Sequence, residues 1–470
     1  MTTSTRIYIA FTSTGVQGSC QTYPLHHPNK KVMTNKEILE QLKCRCDGVE
    51  FVGGPEVENE GHTVGNLLAR GQSLDGLLYF GPLPTQLTRI DLPIVAVYPL
   101  WGRWQKPFNS YRGSRVLTAT LPVIPDAPAD KFSGRLDAVA EKIGHLQTVA
   151  RMKQLRILCI TDRPVLGEYE PYANQTAGEG REAYESKYLA HLAALGAEII
   201  PRPQEEMLAE MEAASESEAA EQTRRWISQS KGVKGTNEAE IKKSARLYLA
   251  MRRMMEKHGA NAVTTEGYGV FMYSKHGIIP SQGLPSSQFC TDGVVATSET
   301  LVDSLITQQL GLWMTGSTGF NGDYVVDPEN AKAYIGHCEC PFNPYGDERR
   351  VPYTIRNLPQ WPADQQEVGG ACVQVDLPAG EPVTVAKVSL HDRKLALFGG
   401  KTVSGEQLFP GWNDILCRTK LAIDTNAATL FENLDWQVFG DHRVVFYGDH
   451  RQKFKDLATL LGYEAVEKDR

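Results

Sequence analysis

Short apolar runs rich in β-branched and aromatic residues, bounded by glycine, proline or small polar residues, recur through the first two thirds of this sequence. Arg6–Phe11 (RIYIAF), Leu77–Phe80 and Pro93–Tyr98 are three such runs near its start. Strands that are buried on both faces have this continuous apolar character, which is typical of parallel sheets covered by helices. Apolar residues then recur every three or four positions over Phe132–Gln154, which is helical spacing. The pattern predicts an α/β domain.

The alternation of strand and helix patterns begins again after residue 154. Two cycles of this kind predict two doubly wound, Rossmann-like α/β domains. Glu205–Gln222 is rich in glutamate and alanine, and its charge predicts an exposed acidic helix. The other predicted elements are strands over Leu155–Ile160, Gly196–Ile200 and Ala260–Thr265, and helices over Ala183–Leu195 and Lys242–His258.

After about residue 345 the pattern changes to short segments in which apolar and polar residues alternate between glycine and proline turns. This alternation is typical of an antiparallel sheet or barrel. The segments are Ala371–Leu377, Pro382–Leu390, Leu395–Phe398 and Val444–Tyr447, and a helix over Phe454–Leu461 follows them. We therefore predict three domains: two α/β domains over 1–154 and 155–345, and a mostly antiparallel, barrel-like domain over 346–470.

Composition and charge exclude several classes of protein. The 470 residues carry a formal net charge of −7, whereas a reader of phosphate backbones needs a concentrated basic face. No run approaches the ~18 apolar residues of a membrane span, and the first residues lack the layout of a signal peptide. The nine cysteines include no CxxC pair and are typical of buried free thiols in a reduced compartment. We expect a cytoplasmic protein that binds neither nucleic acid nor membrane.

Phosphate-binding and hydrolase motifs are absent from the sequence. Gly400-Lys401-Thr402 resembles the end of a P-loop, but Leu395 occupies the position of the first glycine. Gly316–Gly322 has the wrong glycine spacing for a dinucleotide fingerprint. Neither a GxSxG elbow nor an HExxH motif occurs.

The stretch from 289 to 341 contains the residues most suited to chemistry. Glu299 follows a small apolar run, Asp323 follows a glycine-rich turn, and His337 comes after a short hairpin-like segment. Two carboxylates and an imidazole suit a hard or borderline divalent cation such as Mn²⁺. Carboxylates beside a metal can also transfer protons, because the ion stabilises negative charge on substrate oxygens.

Each of these residues also has an ordinary structural explanation. Glu299 suits the first turn of a helix, with Thr297 or Ser298 as N-cap, where acids complement the helix dipole. Asp323 follows Gly322 and suits a turn. His337 suits a satisfied histidine in the core. Spacing alone favours the structural explanation for each residue taken singly, and a joint metal site stays the alternative.

The stretch resembles the metal-binding core of the L-fucose isomerase and L-arabinose isomerase superfamily. In that family a glutamate at a strand-to-helix junction precedes a helix, a Leu-Thr-Gly-like turn and a second acid, and many members have a similar histidine-bearing strand. Glu299 and Asp323 are 24 residues apart, a spacing that resembles the fucose isomerase pattern. The matching segments are Thr297-Ser298-Glu299, Gln309-Leu310-Gly311, Thr315-Gly316, Phe320–Tyr324 and Gly336–Pro341 (GHCECP).

Two further segments carry the resemblance. Asp441–Asp449 (DHRVVFYGD) is similar to the family's closing strand, which begins with a metal-binding histidine, and this similarity assigns that role to His442. Many relatives have His-His where this chain has Asp441-His442. The segment around Trp101 is similar to one in which the family often has a tryptophan that reaches the sugar of a neighbouring subunit.

The resemblance implies a Mn²⁺-dependent aldose–ketose isomerase, with other divalent cations as alternatives. Glu299, Asp323 and His442 would hold the metal, and the two carboxylates would move a proton between C1 and C2 of an open-chain sugar through a cis-enediol. His337 would contact the metal or a sugar hydroxyl, and Trp101 the substrate. The family also implies a homo-oligomer, either a trimer or a hexamer.

Three alternatives stay open at the level of sequence. A hydride shift competes with the cis-enediol mechanism. A metal-dependent sugar epimerase or lyase on the same scaffold, or a non-catalytic sugar-binding protein, competes with the isomerase. Glu266 and Tyr268 follow a predicted strand, so they either line the pocket or belong to an ordinary strand-end turn.

Overall fold

The computed structural model describes residues 4–12, 34–70, 73–100, 114–122, 129–162, 165, 181–266, 281–358 and 370–470. These residues form two compact units. The first lies within Met1–Lys153 and Lys455–Glu464, and the second within Gln154–Phe454 and Ala465–Arg470.

The first unit contains a parallel sheet. Its strands are β1 Thr5–Thr12, β2 Val49–Val52, β3 Val57–Glu58, β4 Gly76–Phe80, β5 Ile94–Leu100 and β6 Val116–Pro122. Its helices are α1 Asn35–Lys43, α2 Glu60–Arg70 and α3 Ala129–Arg151, with 3₁₀ turns at Leu87–Arg89 and, after α3, at Met152–Gln154. The strand order is β2-β1-β4-β5-β6, and β3 also pairs with β1.

Both faces of this sheet are apolar, as the sequence predicts. Ile7 and Ile9 of β1 contribute to one core, and Tyr8 and Ala10 contribute to the core on the opposite face. All four side chains are buried. A strand buried on both faces has no polar face to present, which explains the continuous apolar run at the start of the sequence.

The second unit begins with a parallel sheet of order β11-β10-β7-β8. The strands of this part of the chain are β7 Arg156–Ile160, β8 Glu198–Arg202, β9 Val233–Lys234, β10 Ala262–Thr265 and β11 Ala296–Thr297. Its helices are α4 Arg181–Leu195, α5 Gln204–Glu212, α6 Glu216–Gln229, α7 Glu238–His258, α8 Gly283–Thr291 and α9 Val302–Thr315. Parallel strands joined by helices confirm the predicted α/β character.

The predicted exposed acidic helix over Glu205–Gln222 is wrong in two respects. The segment lies in two helices, α5 and α6, which are separated at residues 213–215. Met207 and Ala219 in this segment are completely buried and contribute to the core of the second unit. The glutamates occupy the solvent side of amphipathic helices. A prediction from the composition of the segment alone therefore missed the apolar face.

A closed six-stranded antiparallel barrel occupies the rest of the second unit. Its strands are β12 Phe320–Asp327, β13 Lys332–His337, β16 Pro382–Ser389, β17 Lys394–Val403, β18 Thr419–Asp424 and β19 His442–Tyr447. They follow the order β16-β19-β12-β13-β18-β17, and pairing of β16 with β17 closes the barrel. Apolar side chains such as Phe320, Ile335 and Val445 belong to the core. The predicted antiparallel, barrel-like texture is confirmed.

Shorter elements make up the rest of the C-terminal part of the chain. They are β14 Tyr353–Arg356, β15 Cys372–Val375, β20 Glu464–Glu467, α10 Gly405–Leu408, the 3₁₀ turn Trp412–Asp414, α11 Ala427–Glu432, α12 Trp436–Phe439 and α13 Arg451–Leu461. β14 pairs with β15 and β9 in a small sheet, and β20 pairs with β17. Two barrel strands, β12 and β13, precede residue 345 and so lie in the part of the chain assigned to the second predicted domain. The division into three domains stays a prediction.

Helix α9 packs against the outer face of the barrel. Its Thr307 hydroxyl accepts a hydrogen bond from the Val388 amide at 2.9 Å, and the Asp303 carboxylate accepts one from the Leu390 amide at 2.8 Å. A Cβ atom at Gly311 would overlap the ring of Phe446 on β19. Close approach of α9 therefore needs glycine at this position, and it brings residue 299 to the barrel.

No helix in the described part of the chain has the length and apolar character needed to cross a membrane.

Candidate metal centre

The structure brings four of the five predicted site residues together. Asp323 on β12 is paired directly with His442, the first residue of β19, and His337 is the last residue of β13. Glu299 lies between β11 and α9, at the strand-to-helix junction that the resemblance implies. Trp101, the fifth residue, lies outside the described residues.

The Glu299 carboxylate faces both imidazoles. Its Oε1 atom is 3.9 Å from Nε2 of His337, and its Oε2 atom is 3.9 Å from Nε2 of His442. The two histidine rings are 5.4 Å apart in an edge-on arrangement. Asp323 Oδ1 lies 3.4 Å from Nε2 of His442. Nε2 of His442 therefore faces two carboxylates, those of Glu299 and Asp323, which come from different parts of the fold.

The two 3.9 Å separations between Glu299 and the imidazoles fit a single divalent ion. Two ligand atoms each about 2.1 Å from one ion lie roughly 3.0 Å apart at right angles and 4.2 Å apart when opposite. Glu299, His337 and His442 each offer one ligand atom, and the three atoms lie within 4.8 Å of one another. The predicted set had Asp323 in place of His337. Asp323 instead shares a second group with Asp441 and His442, so His442 belongs to both.

Glu299 has an unusual backbone conformation. Its φ is 64°, and that of Thr300 is 53°, in the left-handed region that L-residues disfavour. The conformation is held because the Thr300 amide donates to the carbonyl of Thr265, at the end of β10, over 2.7 Å. Helix α9 begins only at Val302 with Leu301 as its N-cap. The explanation of Glu299 as a first-turn helix residue is therefore wrong, and strain of this kind clusters at functional sites.

Glu339 is a buried carboxylate beside the centre that the sequence analysis did not select. Its Oε1 atom is 3.7 Å from Nδ1 of His337 and accepts a hydrogen bond from the Ser298 amide at 3.3 Å. Burial raises the pKa of both Glu339 and Glu299, and the nearby histidines oppose that rise. A carboxylate behind a ligating histidine orients the ring and raises its basicity. Glu339 lies where it can orient the His337 ring, and contact of His337 with a metal or a sugar stays a prediction.

Asp441 holds His442 from the other side. Its Oδ1 atom is 3.0 Å from Nδ1 of His442, and this hydrogen bond lowers the pKa of Asp441 to about 2. Nε2 of His442 is thereby directed toward Glu299 and Asp323. Asp441, at the position where the resemblance implies a histidine in many members of that family, thus orients the His442 ring.

Asp323 lies in strand β12 and not in a turn, so its alternative explanation is also wrong. Its side chain is half-exposed, and the thiol of Cys417 donates to Oδ2 at 3.7 Å. Contact with Cys338 and burial raise the pKa of Cys417, so this group stays a thiol. Asp323 is thus the solvent-facing carboxylate of the centre, whereas the two histidines are buried.

Glu266 lies at the carboxyl edge of the parallel sheet, after β10, which is the neighbour of the strand β11 that precedes Glu299. Its buried carboxylate accepts hydrogen bonds from the Asp162 amide at 2.7 Å, from the Thr161 hydroxyl at 3.0 Å and from the Gln204 amide group at 2.9 Å. These bonds tie together the ends of β7, β8 and β10. Tyr268 lies outside the described residues.

A spacing signal for Glu339 was available in the sequence. Glu339 follows His337 by two residues in GHCECP, and residues two apart along an extended chain project to the same side. Asp441 was visible only as the neighbour of His442. Cys417 gave no signal, because its contact with Asp323 depends on strand pairing across 94 residues.

No family model matches this chain, and a search of curated proteins finds no match. The resemblance to the sugar isomerase superfamily therefore stays a prediction.

Proposed function

We propose that this protein is a divalent-metal-dependent aldose–ketose isomerase, an intramolecular oxidoreductase that acts on an open-chain monosaccharide, with Mn²⁺ as the ion. The observation that carries the proposal is the position of the Glu299 carboxylate, 3.9 Å from the Nε2 atoms of both His337 and His442. Mixed carboxylate and imidazole donors suit a hard or borderline cation.

Glu299, His337 and His442 would hold the ion, with Asp323 at its solvent-facing side. Such an ion supplies Lewis acidity that stabilises negative charge on substrate oxygens. Asp441 fixes the orientation of His442 by a hydrogen bond, and Glu339 lies 3.7 Å behind Nδ1 of His337. Because these partners are part of the fold, the centre is preorganised before substrate binds.

Glu299 and Asp323 would move the proton between C1 and C2. Burial raises the pKa of Glu299, which makes its carboxylate a stronger base than a solvated one. Asp323 is half-exposed, so a substrate that enters from solvent meets this carboxylate first. Two carboxylates in such different surroundings suit the two opposite proton transfers of a cis-enediol pathway.

The finer predictions belong to the same proposal. They are the doubly wound, Rossmann-like arrangement of both parallel sheets, a cytoplasmic location, a homo-oligomer of three or six copies, and substrate contact by Trp101. Among the competing functions, an epimerase or lyase would use the same centre, and a sugar-binding protein would need no base.

Product analysis tests the function. The Mn²⁺-loaded protein is incubated in D₂O with a panel of aldoses and ketoses, and the products are followed by NMR. We expect one aldose–ketose pair to interconvert with deuterium incorporation at the transferred position; interconversion without deuterium would indicate a hydride shift. Products outside an aldose–ketose pair would favour an epimerase or lyase.

The variant Glu299→Gln removes the base with little change of shape. We expect it to abolish turnover and to keep the unfolding transition of the wild type, whereas Glu329→Gln at an exposed position leaves turnover unchanged. Full activity of Glu299→Gln would contradict the proposal.

A further inference from the structure

A row of four residues crosses the outer face of the barrel at the level of the candidate metal centre. His442 is paired with Asp323, Asp323 with Gly336, and Gly336 with Lys420. Residues directly opposite one another on antiparallel strands project to the same face. Lys420 on β18 therefore lies on the face that carries Asp323, two strands away, which is roughly 10 Å at the usual strand spacing.

Gly336 makes room for the lysine side chain. A Cβ atom at this position would lie 3.3 Å from Cγ of Lys420, tighter than an ordinary contact. Cys417 then connects the lysine with the centre, since its carbonyl accepts from the Lys420 ammonium and its thiol donates to Asp323. The side chain is thus held beside the centre.

The Lys420 ammonium lacks a counter-ion among the described residues. It donates to the carbonyl of Ile415 at 2.6 Å and to that of Cys417, which uses two of its three N–H donors. No described carboxylate forms an ion pair with it. A half-buried ammonium without a paired charge is costly, because neutral carbonyls replace its hydration only in part.

The surroundings of Lys420 are positively charged. Arg418 and Arg356 are both buried, and Asp414 forms an ion pair with Arg356 and with Lys234. Burial, together with repulsion from the Arg418 and Arg356 guanidinium groups, lowers the pKa of Lys420 to about 8. The local potential would attract an anion.

An aromatic wall limits the space beside the ammonium. The Trp412 ring centre is 5.4 Å from Nζ of Lys420 and stacks on Phe409. Tyr334 packs edge-on against Trp412. An aromatic surface beside a cation suits a ligand with both C–H faces and an ionised end.

We propose that Lys420 is a specificity-determining residue for an acidic sugar, whose carboxylate or phosphate group it binds at the end remote from the metal centre. The role rests on the proposed function, since Asp323 and His442 mark where the reacting carbons lie. A neutral sugar would leave the ammonium without a counter-charge, whereas an anionic substituent would pair with it and use its third N–H.

Binding measured without turnover tests this role. Calorimetric titrations of the full-length protein use neutral hexoses of the gluco, manno and galacto series and the matching uronates and hexose 6-phosphates. We expect at least one acidic sugar to bind ten times more tightly than its neutral parent. Tighter binding of the uronate or of the hexose 6-phosphate shows which anionic group Lys420 recognises. Either result supports the role.

Three variants separate charge from packing. Lys420→Gln keeps a donor for the two carbonyls but removes the charge, so the preference for the acidic sugar is lost; Lys420→Arg keeps most of it. Lys401→Gln, at an exposed lysine on neighbouring β17, leaves the preference unchanged. Equal affinities for acidic and neutral sugars, absence of acidic-sugar binding, or equal weakening of both classes by Lys420→Gln would overturn the role.

The test distinguishes failure of this role from failure of the isomerase proposal. If the acidic sugar binds in a Lys420-dependent way but is not interconverted with a ketose or aldose, the inferred role stands and the isomerase proposal fails.

Discussion

His442 Nε2 lies 3.4 Å from Asp323 Oδ1, and the two residues are directly paired across β19 and β12. The strand pairing fixes this relationship, because both side chains project to the same face of the barrel. Helix α9 packs on that face, and Glu299, in the segment that precedes this helix, lies 3.9 Å from the same imidazole. Strand β12 of the barrel and the segment after β11 thus each place one carboxylate beside His442.

Asp441 should control metal affinity without binding as the primary ligand. Asp441→Asn weakens the hydrogen bond that fixes His442, and loss of such a partner lowers metal affinity about 10–100-fold. A Mn²⁺ titration followed by the signal of the free ion measures this change. Asp449→Asn, at an exposed position beyond the same strand, is the control and leaves affinity unchanged. Equal affinities of Asp441→Asn and wild type would exclude the orienting role.

The metal-free protein should lose stability as pH rises above 4.5. The pKa of Glu339 and of Glu299 is raised from 4.5 by burial, so the folded chain keeps protons that the unfolded chain has already released. Stability therefore falls from pH 4.5 up through the folded-state pKa values. Asp441, with its pKa lowered to about 2, acts in the opposite direction and only below pH 3.8.

Urea unfolding across this pH range measures the effect. Glu339→Gln cannot titrate at this position, so its free energy of unfolding should fall less steeply with pH than that of the wild type. An identical slope for Glu339→Gln and wild type would show that Glu339 does not keep its proton in the folded protein.

Gly311→Ala should weaken the packing of α9 against the barrel and so destabilise the protein. The added methyl overlaps the Phe446 ring, and overpacking of this kind costs about 1–3 kcal/mol of unfolding free energy. Gly144→Ala on α3 is the matched control, because nothing lies within 4 Å of its Cβ position. Helix propensity should stabilise that variant by up to about 1 kcal/mol. Denaturant unfolding compares the two, and equal stabilisation of both would contradict the close packing.

Much of the fold follows from local pattern. The apolar run Arg6–Phe11 reflects a strand that is buried on both faces, and the alternation around Val444 reflects a strand that is buried on one face. The same reasoning failed for Met207, whose burial is concealed among charged neighbours. Glu299 and Asp323 were selected through the resemblance to a family pattern, but the left-handed backbone of Glu299 depends on a tertiary hydrogen bond from Thr300 to Thr265. The position of Lys420 depends on strand register, which local pattern does not determine.

Electron spin-echo spectroscopy of the Mn²⁺-loaded protein tests the metal centre most directly. The geometry predicts one bound Mn²⁺ per chain with coupling to two imidazole nitrogens, since Nε2 of His337 and of His442 both face Glu299. His337→Gln and His442→Gln should each remove one of these couplings or abolish binding. Tight Mn²⁺ binding without any imidazole coupling would contradict the centre described by these residues.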